Sequence, residues 1–221
     1  MKYELLKYGV FLSVNTVYKY MKELEISSIT RRKYQYKKGE AHIVFKDLLK
    51  QNFTVNTPNT IWCCDFTYLH LENGEKYYNC SILDLYDRSI VATLCSNKID
   101  SNLAIKTLEK ALKTQKHPKN LIFHTDQGSQ FTSKSFTSFC KENSIKQSMS
   151  RAGVPYDNSP MERFFNTLKT EFYYLFKFRD KSTLYILIND FICTRYNYSR
   201  PHTFNNGLTP MQKRNLSSKS A

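Results

Sequence analysis

Three carboxylates stand at positions where folding alone gives no reason for a charge. Asp65 interrupts the apolar run IWCCDFTYLHL, Asp126 ends the apolar run LIFHTD, and Glu162 falls in the first turn of a predicted helix. A buried charge is costly unless it is paired or bound to a metal ion. Magnesium favours one or two carboxylates together with substrate phosphate oxygens. The three acids therefore suit a metal site that processes phosphate esters.

The spacing of these acids is weak support by itself. Asp65 and Asp126 are separated by 60 residues, and Asp126 and Glu162 by 35. In a chain of this composition, roughly 0.4 pairs of an Asp and a Glu at that second separation are expected by chance. The residues around the acids must carry the argument.

The chain from Ile61 onward predicts the elements that hold the acids. Three apolar runs, with Asn73-Gly74 as a hairpin turn between the first two, predict three antiparallel strands. A helix over 101–115, capped by Ser101, should cover that sheet. The runs LIFHTD and IKQSMS predict a short buried strand and an edge strand.

Helices follow on both sides of these two strands. We predict one over 135–143, a long one after Pro160 and a last one over 183–196. The apolar stripe of the long helix consists of Met161, Phe164, Phe165, Leu168, Phe172 and Leu175. The fold class is α/β, a mixed sheet flanked by helices.

The amino end predicts a smaller unit. A helix over 13–24 follows the turn at Tyr8-Gly9-Val10, which is typical of part of a helix-turn-helix but equally of a plain helical hairpin. Residues 31–40 form a basic linker. We therefore divide the chain into residues 1–54, a helical DNA-binding segment with its linker, and residues 55–221, the catalytic core with a helical tail.

Composition points to an anionic partner. The 221 residues carry a formal net charge of +14, with basic flanks around a nearly balanced middle. Nucleic acid is favoured over an acidic membrane surface. The chain contains no apolar run long enough to span a membrane, and we expect a cytoplasmic protein. The six cysteines lack zinc-binding spacing and are expected to be buried free thiols.

Five motifs in order strengthen the reading: WCCDFTY, ILDLYDRSIV, HTDQGSQFTS, SMSRAGVPYDNSPMERFFNTLKTEF and YNYSRPHTFNNGLTP. Across about residues 50–213 the chain resembles bacterial transposases of the insertion-sequence-three family, the products of its second reading frame, which are related to retroviral integrases. The resemblance implies a ribonuclease-H-like integrase core in which Asp65, Asp126 and Glu162 form a DDE motif. These acids would bind two Mg²⁺ ions, or Mn²⁺, for cleavage and transfer of DNA strands.

Other polar residues near the acids have both a functional and a structural interpretation. Lys169 lies two helical turns beyond Glu162 on the same face, and the resemblance assigns such a basic residue to the transposon end. Asn158 and Arg163 are candidates for DNA binding, against a loop cap and a solvated helix charge. His124 either orients a group near Asp126 or satisfies a backbone partner.

Two further pairs of polar residues also have structural interpretations. Asp84 and Asp87 are expected at turns and strand ends rather than at a metal. Arg200 and His202 either touch DNA or pack the carboxyl tail.

Two other functions compete with that of a transposase. A tyrosine recombinase would need an H-x-x-R element, and no histidine here has arginine three residues later. A non-catalytic DNA-binding protein or a decayed transposase fragment is the alternative from another class. For a transposase, we expect DNA as partner, a homo-oligomer on that DNA, and a possible fusion to the product of an upstream reading frame.

Overall fold

The computed structural model describes residue 5 and residues 7–26, 43–152 and 154–218. These residues belong to two compact units that divide between residues 39 and 40. Residues 43–54, which the sequence assigned to the amino-terminal segment, instead pack with the larger unit, because Leu49 is buried in its core and Phe53 packs against that core. The compact core therefore begins before residue 55.

The amino-terminal unit contains one described helix, α1 (Val14–Glu23). Ser13 caps it, since its hydroxyl accepts a hydrogen bond from the Thr16 amide at 3.1 Å. Of the residues described in this unit, Val17 alone is buried. The predicted basic linker at 31–40 lies outside the described residues, and the helix-turn-helix stays a prediction.

The larger unit is built on a five-stranded sheet. Its strands are β1 (Ile61–His70), β2 (Lys76–Asp84), β3 (Ile90–Ser96), β4 (Ile122–Thr125) and β5 (Lys146–Met149). The strand order is β3-β2-β1-β4-β5. The first three strands are antiparallel, whereas β4 and β5 run parallel to β1. The mixed sheet, its opening antiparallel meander and its edge strand β5 are as predicted.

Six α-helices accompany the sheet in the described part of this unit. They are α2 (Ser101–Thr114), α3 (Ser129–Thr132), α4 (Lys134–Glu142), α5 (Ser159–Glu171), α6 (Lys181–Asp190) and α7 (Pro210–Ser218). A π-helix (Phe191–Ser199) continues α6, and short 3-10 turns occupy Pro155–Asn158, Tyr173–Leu175 and Thr203–Asn205. No helix among the described residues is long and apolar enough to cross a bilayer.

The sheet separates two hydrophobic clusters, because successive side chains of a strand point to opposite faces. Trp62 and Cys64 of β1 join Leu108 of α2 and Phe136 of α4 in one cluster. Alternate residues of β1, such as Cys63, join the apolar stripe of α5 in the other. This layered packing fixes both the sheet and the helix that carries Glu162.

Some local predictions were wrong. The cap of α2 is Asp100, whose carboxylate accepts from the Leu103 amide at 2.8 Å, rather than Ser101. The long helix ends at Glu171, so Leu175 is not part of its buried stripe and is 66% exposed. All six cysteines are free thiols, as expected, but Cys193 is exposed.

Candidate active site

The three acids come from separate elements and line one cavity of about 500 Å³. Asp65 lies within β1, Asp126 directly follows β4, and Glu162 lies in the first turn of α5. The parallel register pairs Cys63 with His124. Continued by two residues, that register brings Asp65 beside Asp126, so the strand pairing itself accounts for their proximity.

Burial and the charges of Asp126 and Glu162 affect the pKa of Asp65. Asp65 is half-buried, while Asp126 and Glu162 are exposed. Burial, and next the charge of Asp126, raise the pKa of the Asp65 carboxyl to about 7, with a smaller contribution from Glu162. The amide of Phe66 opposes this rise by donating to the carboxylate at 2.7 Å. A cation in the cavity would relieve this repulsion.

A tight turn orients Asp126. The Gly128 amide donates to one Asp126 carboxylate oxygen at 2.9 Å. A Cβ atom added at Gly128 would lie 2.9 Å from that same oxygen, closer than real Cβ contacts. Glycine is therefore required for the close approach that sets this carboxylate at the mouth of the cavity.

The donor chemistry of the cavity fits a divalent cation, because the described residues that line it include three carboxylates and neither cysteine nor histidine. Among the described residues, however, no three His, Cys, Asp or Glu side chains are gathered closely enough to form a ready metal centre. The acids thus share a cavity without forming a closed ligand set.

Of the predicted DNA-binding residues, one lines this cavity and another lies at the far end of α5. Asn158 lines the cavity, donates to the Cys64 carbonyl at 3.4 Å and keeps a buried Oδ1 without a hydrogen-bond partner in the described structure. Lys169 is half-buried in the last turn of α5, and this burial lowers its pKa. Arg163 is different, because it lines a neighbouring cavity.

Of the two interpretations of His124, the structure supports the one in which its ring hydrogen-bonds to the backbone. Its Nε2 lies 2.9 Å from the Asp157 carbonyl, which can only accept, so Nε2 carries the proton. Nδ1 then accepts from the Ser148 hydroxyl at 2.9 Å. Burial lowers the pKa of His124, consistent with a neutral ring. The histidine links β4, which leads to Asp126, to the turn that precedes α5.

The sequence did not reveal the role of Asp157. Its side chain is fully buried and accepts hydrogen bonds from Gln51 at 2.8 Å and from both the amide and the guanidinium of Arg151. These bonds, Arg151 first, hold the pKa of Asp157 well below its usual range. The pairing closes the loop before α5, and Arg151 also lines the carboxylate cavity. The available signal was an arginine and an aspartate within one loop.

Asp84 and Asp87 have structural roles, as expected. Asp84 accepts from the Asn59 amide at 2.7 Å, and Asp87 from the Ser89 amide at 2.8 Å. The unexpected partner is Arg214 of α7, which forms ion pairs with both. Burial, and next Asp87, raise the pKa of Asp84 to about 6 against the opposing charge of Arg214.

The carboxyl tail packs rather than projects. Arg200 forms a bidentate pair with Glu171, and His202 is buried against Tyr196. Of the two interpretations given for Arg200 and His202, packing of the carboxyl tail is therefore the one that the structure supports.

Comparisons with known proteins agree with this geometry. Two descriptions of an integrase core domain match residues 55–155 and 143–210. The chain is 32% identical over 214 residues to the transposase InsF of insertion sequence IS3A from Escherichia coli K12, covering 96% of this chain and 74% of that protein. The chain belongs to the IS3 family of transposases. Membership makes it a DDE-type polynucleotidyl transferase and does not favour the non-catalytic alternative.

Other relatives and solved structures support the same assignment. The transposase is 32% identical to an uncharacterized 31 kDa protein of insertion element IS600 from Shigella sonnei, covering 94% of this chain and 76% of that one. The HTLV-2 integrase catalytic core, solved with magnesium, superposes with a TM-score of 0.56 at 25% identity, covering 72% of this chain and 97% of that chain. A chain of a simian T-cell lymphotropic virus intasome gives a TM-score of 0.63 at 19% identity, covering 80% of this chain and 60% of that chain. The fold is therefore the ribonuclease-H-like fold of integrase cores.

Proposed function

We propose that this transposase cleaves the DNA strands at the ends of its own insertion sequence and joins them to target DNA. Asp65, Asp126 and Glu162 are the proposed catalytic residues and metal ligands. The observation that carries the proposal is that three acids from β1, the end of β4 and the start of α5 open into one cavity. Family membership supports the same chemistry.

Two Mg²⁺ ions, or Mn²⁺, are the proposed cofactors. Bound there, they would activate an attacking water or 3′-hydroxyl and stabilise the leaving oxygen of an in-line displacement. The integrase core solved with magnesium supports a divalent ion. The three acids would act as ligands only, and no covalent link between protein and DNA is needed.

The protein itself would orient the strand. Asn158 lines the cavity and its buried Oδ1 has no hydrogen-bond partner in the described structure, so we propose that its amide group helps to hold a nucleotide beside the acids. Lys169 would bind a phosphate of the transposon end through its ammonium group. The Arg151–Asp157 pair would hold the loop that leads to Glu162 and thereby limit the movement of that carboxylate.

The proposed partners follow from this reaction. Joining two ends requires both to be held at once, so we propose a homo-oligomer assembled on DNA. An upstream-frame product fused to this chain could add further contacts to the ends. Since the DNA of a bacterial insertion sequence lies in the cytoplasm, we propose that the protein acts there, associated with the nucleoid.

The test is a strand-transfer assay with the terminal repeats that flank the gene. Glu162→Gln should reduce joining on the order of a hundredfold or more while retaining DNA binding. Glu142→Gln, an exposed glutamate of α4, is the matched control and should join normally. Chelation of divalent ions should stop joining by the unmodified chain. DNA binding without any metal-dependent joining by the unmodified chain would instead support the non-catalytic alternative.

A further inference from the structure

A second cavity, of about 580 Å³, lies along the neighbouring face of α5. We call this cavity the arginine groove. The residues that line it include Arg88, Arg163, Arg200, Thr170 and Thr203. Arg163 directly follows Glu162, about 100° around the same helix. A strand crossing α5 from the carboxylate cavity would therefore enter the groove.

The charge of the groove is not balanced internally. Glu171 pairs with Arg200 at 2.6 Å. In the part of the chain that the structure describes, neither Arg88 nor Arg163 has a carboxylate within ion-pair distance. The cations of Arg88 and Arg163 therefore lack an ion-pair partner in the described structure and can attract an anion.

Arg88 is held as a fixed, partly buried cation. One of its terminal nitrogens donates to the Phe53 carbonyl at 3.0 Å, and the Phe204 ring lies 3.8 Å from the centre of its guanidinium group. The other terminal nitrogen, Nη1, is buried and has no hydrogen-bond partner among the described residues. A buried donor without a partner is costly and calls for a ligand or a water molecule.

Neutral polar side chains accompany the arginines of the groove. Ser159, Asn166 and Thr203 add hydroxyl and amide groups around the groove. Fixed guanidinium groups surrounded by neutral donors are the chemistry that recognises phosphate oxygens.

We propose that the arginine groove binds a backbone phosphodiester of a DNA strand next to the segment held at the carboxylates. This inference rests on the proposed function for its source of phosphate. A phosphodiester fits better than a free phosphate ion, because Arg163 of the groove directly follows Glu162 of the carboxylate cavity along α5. The groove then positions the strand without reading its sequence.

The experiment measures binding of a labelled 30-base-pair duplex of random sequence by fluorescence anisotropy over a range of salt concentrations. Arg163→Gln should reduce the slope of log K against log salt by about one unit, as loss of one phosphate contact predicts. Thr203→Glu, at another residue that lines the groove and lies outside α5, should weaken binding roughly tenfold through like-charge repulsion. Both positions are exposed, so the fold should be retained.

Matched controls place the same changes elsewhere on the surface. Arg179→Gln and Ser138→Glu, at exposed positions outside the groove, should bind DNA within about twofold of the unmodified chain. The inference is overturned if Thr203→Glu binds like Ser138→Glu. It is also overturned if inorganic phosphate at constant ionic strength raises the melting temperature while both groove variants bind DNA normally.

Strand transfer assayed in parallel separates the two proposals. Unchanged DNA binding by the groove variants, with joining that still depends on Glu162, would overturn the groove alone. Weakened binding by the groove variants, with no joining by the unmodified chain, would support the groove and overturn the proposed reaction.

Discussion

Replacing Asp65 by asparagine should stabilise the metal-free protein at neutral and alkaline pH. The substitution is nearly isosteric, and the new amide oxygen can still accept from the Phe66 amide, which now donates at 2.7 Å. What it removes is a charge that burial and Asp126 disfavour in the folded state. The folded protein therefore carries the Asp65 charge at a cost in stability, as is common for residues retained for function.

The size of the effect follows from the pKa values. The pKa of Asp65 rises from 3.8 to about 7 on folding. A raised carboxyl pKa means that the folded state holds the proton more tightly, so stability is full below 3.8 and is lost as pH rises through 7. At about 1.4 kcal/mol per unit, asparagine should gain at most about 4 kcal/mol above pH 7 and almost nothing near pH 4.

Urea unfolding of both proteins near pH 8 and near pH 4, with a chelator and at fixed salt, measures this difference. The free energy of unfolding of the variant should exceed that of the unmodified chain at the higher pH only. Added Mg²⁺ should then stabilise the unmodified chain more than the variant. A variant that is less stable near pH 8, or a gain that is equal at both pH values, would refute the reasoning.

Three other substitutions have defined outcomes. Arg214→Ala leaves Asp84 and Asp87 as unpaired buried carboxylates and should lower the free energy of unfolding by about 3–5 kcal/mol, measured by urea titration. Lys169→Ala should weaken binding of the terminal-repeat DNA and reduce the salt slope by about one unit, measured by anisotropy. His124→Phe loses two buried hydrogen bonds and should cost about 1–3 kcal/mol for each partner left unsatisfied, with slower strand transfer because the turn before α5 is less constrained.

Controls for these substitutions use neighbouring or similar residues. Lys213→Ala removes the adjacent cation of α7, which contacts only the Tyr86 ring among the interactions described, and should lower stability by about 1 kcal/mol or less, whereas a loss equal to that of Arg214→Ala would show that Arg214 is not the anchor. Lys113→Ala, an exposed lysine near the end of α2, should bind the terminal repeats normally. An unchanged salt slope for Lys169→Ala would discard its phosphate contact. If His124→Phe were as stable as the unmodified chain, the linking role of the histidine would be wrong.

Much of the core could be predicted from local patterns. The apolar runs and the Asn-Gly turn predicted the first three strands, because alternation and turn chemistry act over a few residues. Asp65 and Asp126 were conspicuous since each interrupts or ends an apolar run. Glu162 was found from its place after a Pro-containing loop and from the family motif around it.

Contacts between distant residues were decided only by the tertiary structure. Arg214 meets Asp87 across 127 residues and Asp84 across 130, and neither separation leaves a trace in local composition. The same holds for the meeting of Arg88 with Phe204. Such pairs depend on how α7 and the tail pack against the hairpin, and packing depends on the whole sheet.

The sequence by itself determined which residues could do chemistry, because a charge in an apolar run and a basic composition are visible one residue at a time. The tertiary structure decided which of them lie together. It put Arg163 in the arginine groove and Asn158 at the acids, although both flank the start of one helix. The physical reason is that a helix turns about 100° per residue, so the packing of α5 selects the surface that each side chain reaches.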